Sequence, residues 1–341
     1  MKSKVRKIVM DSYGSFLGRD KGCFLLRDKN GREVRYPLFE DEIGEVQVRS
    51  GNTISSGVLA SLSFWEIPLV VCTERGRPVG VLRSLTDNSH VKSRLAQYEA
   101  TRNGKGQAIA KAIVTAKISG QNQVLRKYGL RQLDPAYLQR IKEVEASPDA
   151  LFRQRLTQIE ARCSLRYFNQ IFSLFPIRPS CRSGYKSYDA VNNLFNLSYE
   201  YLAWKVHIAL LRSRLEPFLG FLHSEAWSKP SLICDVMELY RFLIDDAVIG
   251  FAPRVIPKNI VLKTESFSKN RKGKREYINN ALTREFTKRI EALFLSKVQV
   301  PRIRMGRQQE LETLINEECL LLAQYLRNEK PTWNPRIVEL R

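Results

Sequence analysis

Residues 1–84 alternate apolar and polar positions in short runs, the period-two pattern of half-buried strands. Strands are expected at 5–10, 23–27, 33–36, 46–48, 69–72 and 79–82, with one short helix at about 55–64 between them. Between the second and third of these strands, Asp28-Lys29-Asn30-Gly31 reads as a hairpin turn, because Asn-Gly readily supplies the positive φ angles a tight turn requires. From about Thr86 onward the apolar positions recur every three or four residues, which predicts helices over 91–128, 148–175, 188–213, 232–248, 277–297 and 308–327. The pattern is that of an α+β chain: a small N-terminal β-strand domain, residues 1–84, followed by a larger all-α helical domain, residues 85–341.

Charge divides the two halves further. The chain carries a formal net charge of +21. Lys and Arg exceed Asp and Glu by four in residues 1–85 and by seventeen in the remainder. Such a surface favours a polyanion through counterion release, so nucleic acid is the expected partner and the helical domain its expected seat. Charge alone does not separate DNA from RNA, nor an enzyme from a non-catalytic basic scaffold. The six cysteines, at 23, 72, 163, 181, 234 and 319, lack the close pairing of a zinc site and read as reduced core thiols. No uncharged apolar run reaches the roughly 18 residues of a membrane span, so a soluble, cytoplasmic protein without a membrane partner is expected.

Three groups of residues stand out against this background. On the helix expected from Ser147-Pro148-Asp149, the positions Phe152, Leu156, Ile159, Cys163 and Tyr167 form an apolar stripe, and Glu160 falls inside it. A carboxylate aimed inward needs a cation, either a metal ion or an arginine such as Arg162 or Arg166. The helix expected over 232–248 is almost wholly apolar, yet Asp235, Glu238 and Asp245 project within about 80° on one side of it. Clustered acids call for positive charge, which a divalent ion or Arg241 can supply. His223 lies just upstream, after Pro217 and Gly220 have ended the preceding helix. An imidazole with carboxylates suits Mn²⁺, and Mg²⁺ less well, both being ions of phosphodiester chemistry. Each of these residues also has a purely structural reading, as an ion pair or a satisfied core histidine. Asn192 and Asn196 share one helical face with Tyr199 and read as a bracing polar network; Tyr199, Tyr201 and Trp204 read as core. The basic run Lys269, Arg271, Lys272, Lys274 and Arg275, broken by Gly273, falls between expected helices and reads as a mobile loop.

Taken together, these stretches resemble one family. Asp189 to Leu202 is similar to the Asn-rich helix of the CRISPR-associated endonuclease and integrase of spacer acquisition, the first of the numbered Cas proteins. Leu215 to His223 resembles that family's turn carrying a metal-binding histidine. Asp235 to Asp245 resembles its acidic helix, and Glu160 with Tyr167-Phe168 matches its first glutamate. Departures are local: Ala161, Leu197-Ser198 and Arg214-Leu215-Glu216 stand where the family pattern has Gly, Tyr-Gly and Gly-Leu-Asp. The resemblance implies a metal-dependent DNA endonuclease and integrase that captures short DNA and inserts it at a CRISPR array. It implies Glu160, His223 and Glu238 as ligands of Mn²⁺ or Mg²⁺, with Asp235 assisting. It also implies a homodimer formed through the β domain, a small second adaptation protein as partner, and basic residues including the 269–275 run holding the DNA backbone.

Overall fold

The structure, a computed structural model, describes residues 6–38, 43–74, 76–84, 89–144, 149–184, 187–223, 229–268, 271–300 and 308–340. The chain divides into two compact units, Met1–Lys92 and Ser93–Arg341.

The first unit holds β1 (Arg6–Met10), β2 (Phe16–Asp20), β3 (Cys23–Arg27), β4 (Glu33–Pro37), β5 (Ile43–Arg49), β6 (Thr53–Ile54), α1 (Ser56–Phe64), β7 (Leu69–Cys72) and β8 (Pro78–Leu82). They form two four-stranded sheets, ordered β1-β5-β7-β8 and β4-β3-β2-β6. The sheets share one core, in which Ile8, Leu17, Phe24, Val46, Val58 and Leu62 are fully buried. The expected turn joins β3 to β4: Gly31 has φ +81°, and the Asp28 carboxylate accepts from the Asn30 and Arg32 amides at 2.8 and 2.9 Å. Strands β2 and β6 were not anticipated. Phe16-Leu-Gly-Arg-Asp20 carries a glycine and two charges in five residues, and β6 is only two residues long, so neither sustains an alternation.

The second unit contains α2 (Ser89–Ala100, which begins in the first), α3 (Gly104–Lys127), α4 (Ala136–Glu143), α5 (Asp149–Ile171), α6 (Ala190–Arg212), α7 (Ser231–Met237), α8 (Arg241–Ile249), α9 (Asn280–Leu295) and α10 (Leu311–Leu326). It is mostly helical but not all-helical. An antiparallel pair, β9 (Ile260–Ser268) and β10 (Arg271–Ile278), and a short pair, β11 (Lys297–Gln299) and β12 (Gln308–Glu310), interrupt the helices. The basic run expected as a mobile loop therefore lies largely on a strand. Lys269 is outside the described residues, as are the side chains of Arg271 and Lys272. Lys274 points outward, whereas Arg275 is buried and pairs with Glu265 at 2.8 Å. Charged residues alternating across two faces hide a strand from any search for apolar periodicity.

Two further departures shape the site. The expected 232–248 helix is broken, α7 ending at Met237 and α8 starting at Arg241, with Tyr240 at φ −127° between them. After α6, Arg214 takes φ +63°, a left-handed conformation that glycine holds more easily, at one of the positions where the sequence departs from the family pattern. Close helix packing fixes the rest: a Cβ on Gly120 of α3 would overlap the Phe242 ring of α8. Of the cysteines, Cys72, Cys163 and Cys319 are buried thiols and Cys181 is exposed, all unbridged. Among the described residues, no helix is long and apolar enough to cross a membrane.

Candidate functional site

Glu160 lies on α5 and Glu238 caps the C-terminal end of α7, and the structure brings both to one cation, Lys117 of α3. The Lys117 ammonium contacts Glu160 Oε1 and lies 2.7 Å from Glu238 Oε2. Arg241, at the start of α8, reaches Glu238 Oε1 at 3.0 Å. The predicted inward carboxylate is thus confirmed, but its partner is neither Arg162 nor Arg166. Burial raises the proton affinity of Glu238, yet Arg241, Lys117 and His223 together outweigh it and hold the carboxyl at about 2. Burial likewise opposes charge on Lys117, but Glu238 and Glu160 keep its pKa above the ordinary lysine value.

Asp235 does something different. Its carboxylate is fully buried and accepts the amides of Phe221 at 2.5 Å, Leu222 at 3.0 Å and His223 at 3.0 Å. Its Oδ1 also lies 2.6 Å from His223 Nδ1. The carboxylate accepts, so Nδ1 is the ring nitrogen that donates to it, and Nε2 is left free of Asp235. The turn can wrap this tightly because residue 220 is glycine: a Cβ there would stand 2.8 Å from Asp235 Oδ2 and 2.9 Å from Ser231. The 215–223 turn therefore presents an imidazole whose orientation Asp235 fixes, the arrangement usual behind a metal-bound histidine.

Beyond the break after Glu238, Asp245 has partners of its own. Its carboxyl accepts hydroxyl hydrogen bonds from Tyr199 at 2.5 Å and Tyr167 at 2.9 Å, and burial pushes its pKa up to about 6. The asparagines of α6 form the expected bracing network. Arg182 donates to Asn192 Oδ1 at 2.9 Å and Asn196 Oδ1 at 2.7 Å, its guanidinium lying over the rings of Phe168, Phe195 and Tyr199. Arg241 also lies over the Tyr199 ring, 4.9 Å from its centre, so Tyr199 links the brace to Glu238.

In this conformation no three His, Cys, Asp or Glu side chains among the described residues converge closely enough to hold a metal ion. Lys117 stands between the two glutamates. Sequence reasoning missed Lys117. Its signal was a lysine within the buried stripe Ile113, Val114, Ile118 and Gln121 of α3, where it is only 7% exposed.

Comparison with known proteins points one way. The family model described as CRISPR associated protein Cas1 matches residues 8–292. A CRISPR-associated endonuclease Cas1 of Pyrobaculum aerophilum is 29% identical over 266 residues, covering 76% of this chain and 87% of its own length. One from Francisella tularensis subsp. novicida is 24% identical over 327 residues, covering 94% and 95%. Among solved structures, a casposase bound to integration product matches with TM-score 0.71 at 17% identity, over 97% of this chain and 98% of its own. A Cas1 protein from Thermotoga maritima matches with TM-score 0.67 at 20% identity, over 96% and 97%. These structural likenesses speak for the fold; the sequence match spans both units and the whole candidate site, and on it the chain belongs to the Cas1 family.

Proposed function

We propose that this chain is a divalent-metal-dependent DNA endonuclease and integrase that inserts short DNA fragments as new spacers into a CRISPR array. The observation that carries the reading is the pairing of two inward carboxylates, Glu160 and Glu238, with a histidine whose Nδ1 is fixed by a buried aspartate. Two carboxylates and one imidazole nitrogen are a donor set suited to Mn²⁺ or Mg²⁺. Glu160, Glu238 and His223 Nε2 would hold the ion, and Asp235 would orient His223 without touching it. When bound, such an ion activates a DNA 3′-hydroxyl or a water and stabilises charge on the attacked phosphodiester. Arg241 stays beside Glu238 and adds positive charge where that phosphate must approach.

The partners follow the same logic. The net charge of +21 supports sequence-independent contact with the DNA backbone, to which exposed Lys274 contributes. Of the structural relatives, one is bound to an integration product and another belongs to a complex named Cas6-RT-Cas1–Cas2. A homodimer built through the β unit and a small second adaptation protein fit this reading. The test is a strand-transfer and branched-DNA cleavage assay in Mn²⁺ and Mg²⁺. Wild type should give metal-dependent products and Glu160→Ala none. Tight DNA binding by wild type with no metal-dependent product would instead make the chain a basic scaffold.

A further inference from the structure

Lys117 raises a problem that the proposed metal centre must solve. A divalent ion between Glu160 and Glu238 and an ammonium in the same place repel each other strongly in a buried, poorly solvated site. Lys117 is 7% exposed, so it cannot simply swing into solvent. One turn further along α3 stands Gln121, 4% exposed, whose amide Oε1 has no hydrogen-bond donor among the described residues. Residues i and i+4 share a helical face, and helical side chains lean back toward the N-terminus, so the Gln121 amide leans toward Lys117. Both residues line one small cavity together with Glu238, Phe242 and Asp245. A buried acceptor left without a donor costs free energy, and a state that supplies a donor recovers it.

We propose that Lys117 is a place-holding cation with two seats. Without metal its ammonium neutralises Glu160 and Glu238; when a divalent ion takes the glutamates, the ammonium moves to Gln121 Oε1 beside Asp245. The four-carbon stem spans this by rotamer change alone, with no movement of α3. The device keeps two buried carboxylates compensated before metal arrives and makes metal binding an exchange of cations rather than an addition. It rests on the metal-centre reading above.

The test is calorimetric titration of the full chain with Mn²⁺, without DNA, for wild type, Lys117→Met, Gln121→Leu and the double variant, with thermal melts of each in EDTA. Lys117→Met should melt lower in EDTA yet bind Mn²⁺ at least tenfold more tightly, because no ammonium competes. Gln121→Leu should bind several-fold more weakly, because the displaced ammonium has lost its acceptor. In the Lys117→Met background the Gln121 change should have no effect on affinity. Lys117→Met binding no tighter than wild type overturns the proposal, as does an equal effect of Gln121→Leu in both backgrounds. Should Lys117→Met fail to fold, unchanged affinity in Gln121→Leu alone overturns it. If wild type shows no Mn²⁺ binding that His223→Ala removes, the metal centre itself falls, which is a different result.

Discussion

Replacing Asp235 by asparagine separates orientation of the site from direct metal ligation. The carboxylate takes three backbone amides and His223 Nδ1. Asparagine offers one oxygen able to accept two hydrogen bonds, and its amide nitrogen would face donors with a donor. Two of the four groups therefore lose their acceptor. Hydrogen bonds to a charged group contribute about 1.5–3 kcal/mol each, so the loss is roughly 3–6 kcal/mol. For a unit of this size, 1 kcal/mol moves Tm by about 2–4 °C, which predicts a fall on the order of 10 °C in EDTA. The second effect is on His223, whose Nδ1–H no longer has a fixed acceptor; loss of such an orienting partner typically weakens metal binding about 10- to 100-fold. Both are read from one preparation, by thermal melting followed by Mn²⁺ calorimetry. A variant that melts within a degree of wild type and binds Mn²⁺ equally would refute the role assigned to Asp235. If binding were abolished rather than weakened, Asp235 would be a ligand itself.

Three other outcomes follow from the same network. Asp245 has a folded pKa of about 6, raised by burial, so it contributes stability in full below its unfolded value of about 3.9 and loses it as pH rises through 6. Asp245→Asn should therefore flatten the decline in Tm between pH 5 and pH 7.5; melts at those two pH values with equal slopes for variant and wild type would contradict this. Arg182→Lys should destabilise by about 1–2 kcal/mol in chemical denaturation, since an ammonium cannot hold Asn192 and Asn196 together while stacking on three rings; full stability in the variant would show that the fork is not needed. On the β9–β10 pair, Lys274→Ala should lower the slope of log affinity against log salt for DNA by about 0.9 without changing Tm, whereas Arg275→Ala should lower Tm, because it leaves Glu265 without its buried partner. Reversal of these two phenotypes would mean that the strand faces are misassigned.

What the sequence disclosed and what it withheld divide along a physical line. Periodicity reports which face of an element is buried, so the inward aim of Glu160 on α5 was readable from Phe152, Leu156 and Cys163 around it. It does not report what stands opposite, so the cation could not be named. Lys117 belongs to a helix about forty residues earlier, and a lysine in an apolar stripe reads equally well as a stem lying along the surface with its head in water. The break between α7 and α8 was invisible for the converse reason. Residues 231–249 are apolar on nearly every side because the segment is buried all round, and a pattern without a polar face carries no phase to be interrupted. The consequence is chemical. As one helix, Asp235, Glu238 and Asp245 would crowd a single face and need one shared cation. Broken at Tyr240, they part into an orienting carboxylate on His223, an ionised carboxylate facing Lys117 and Arg241, and a carboxyl held by two tyrosines. Three acids that look alike in sequence acquire separate partners from about three residues of irregular backbone. The residues of the proposed metal centre thus stand out in the sequence as a set, while their individual contacts depend on helix–helix packing and a local break that no spacing encodes.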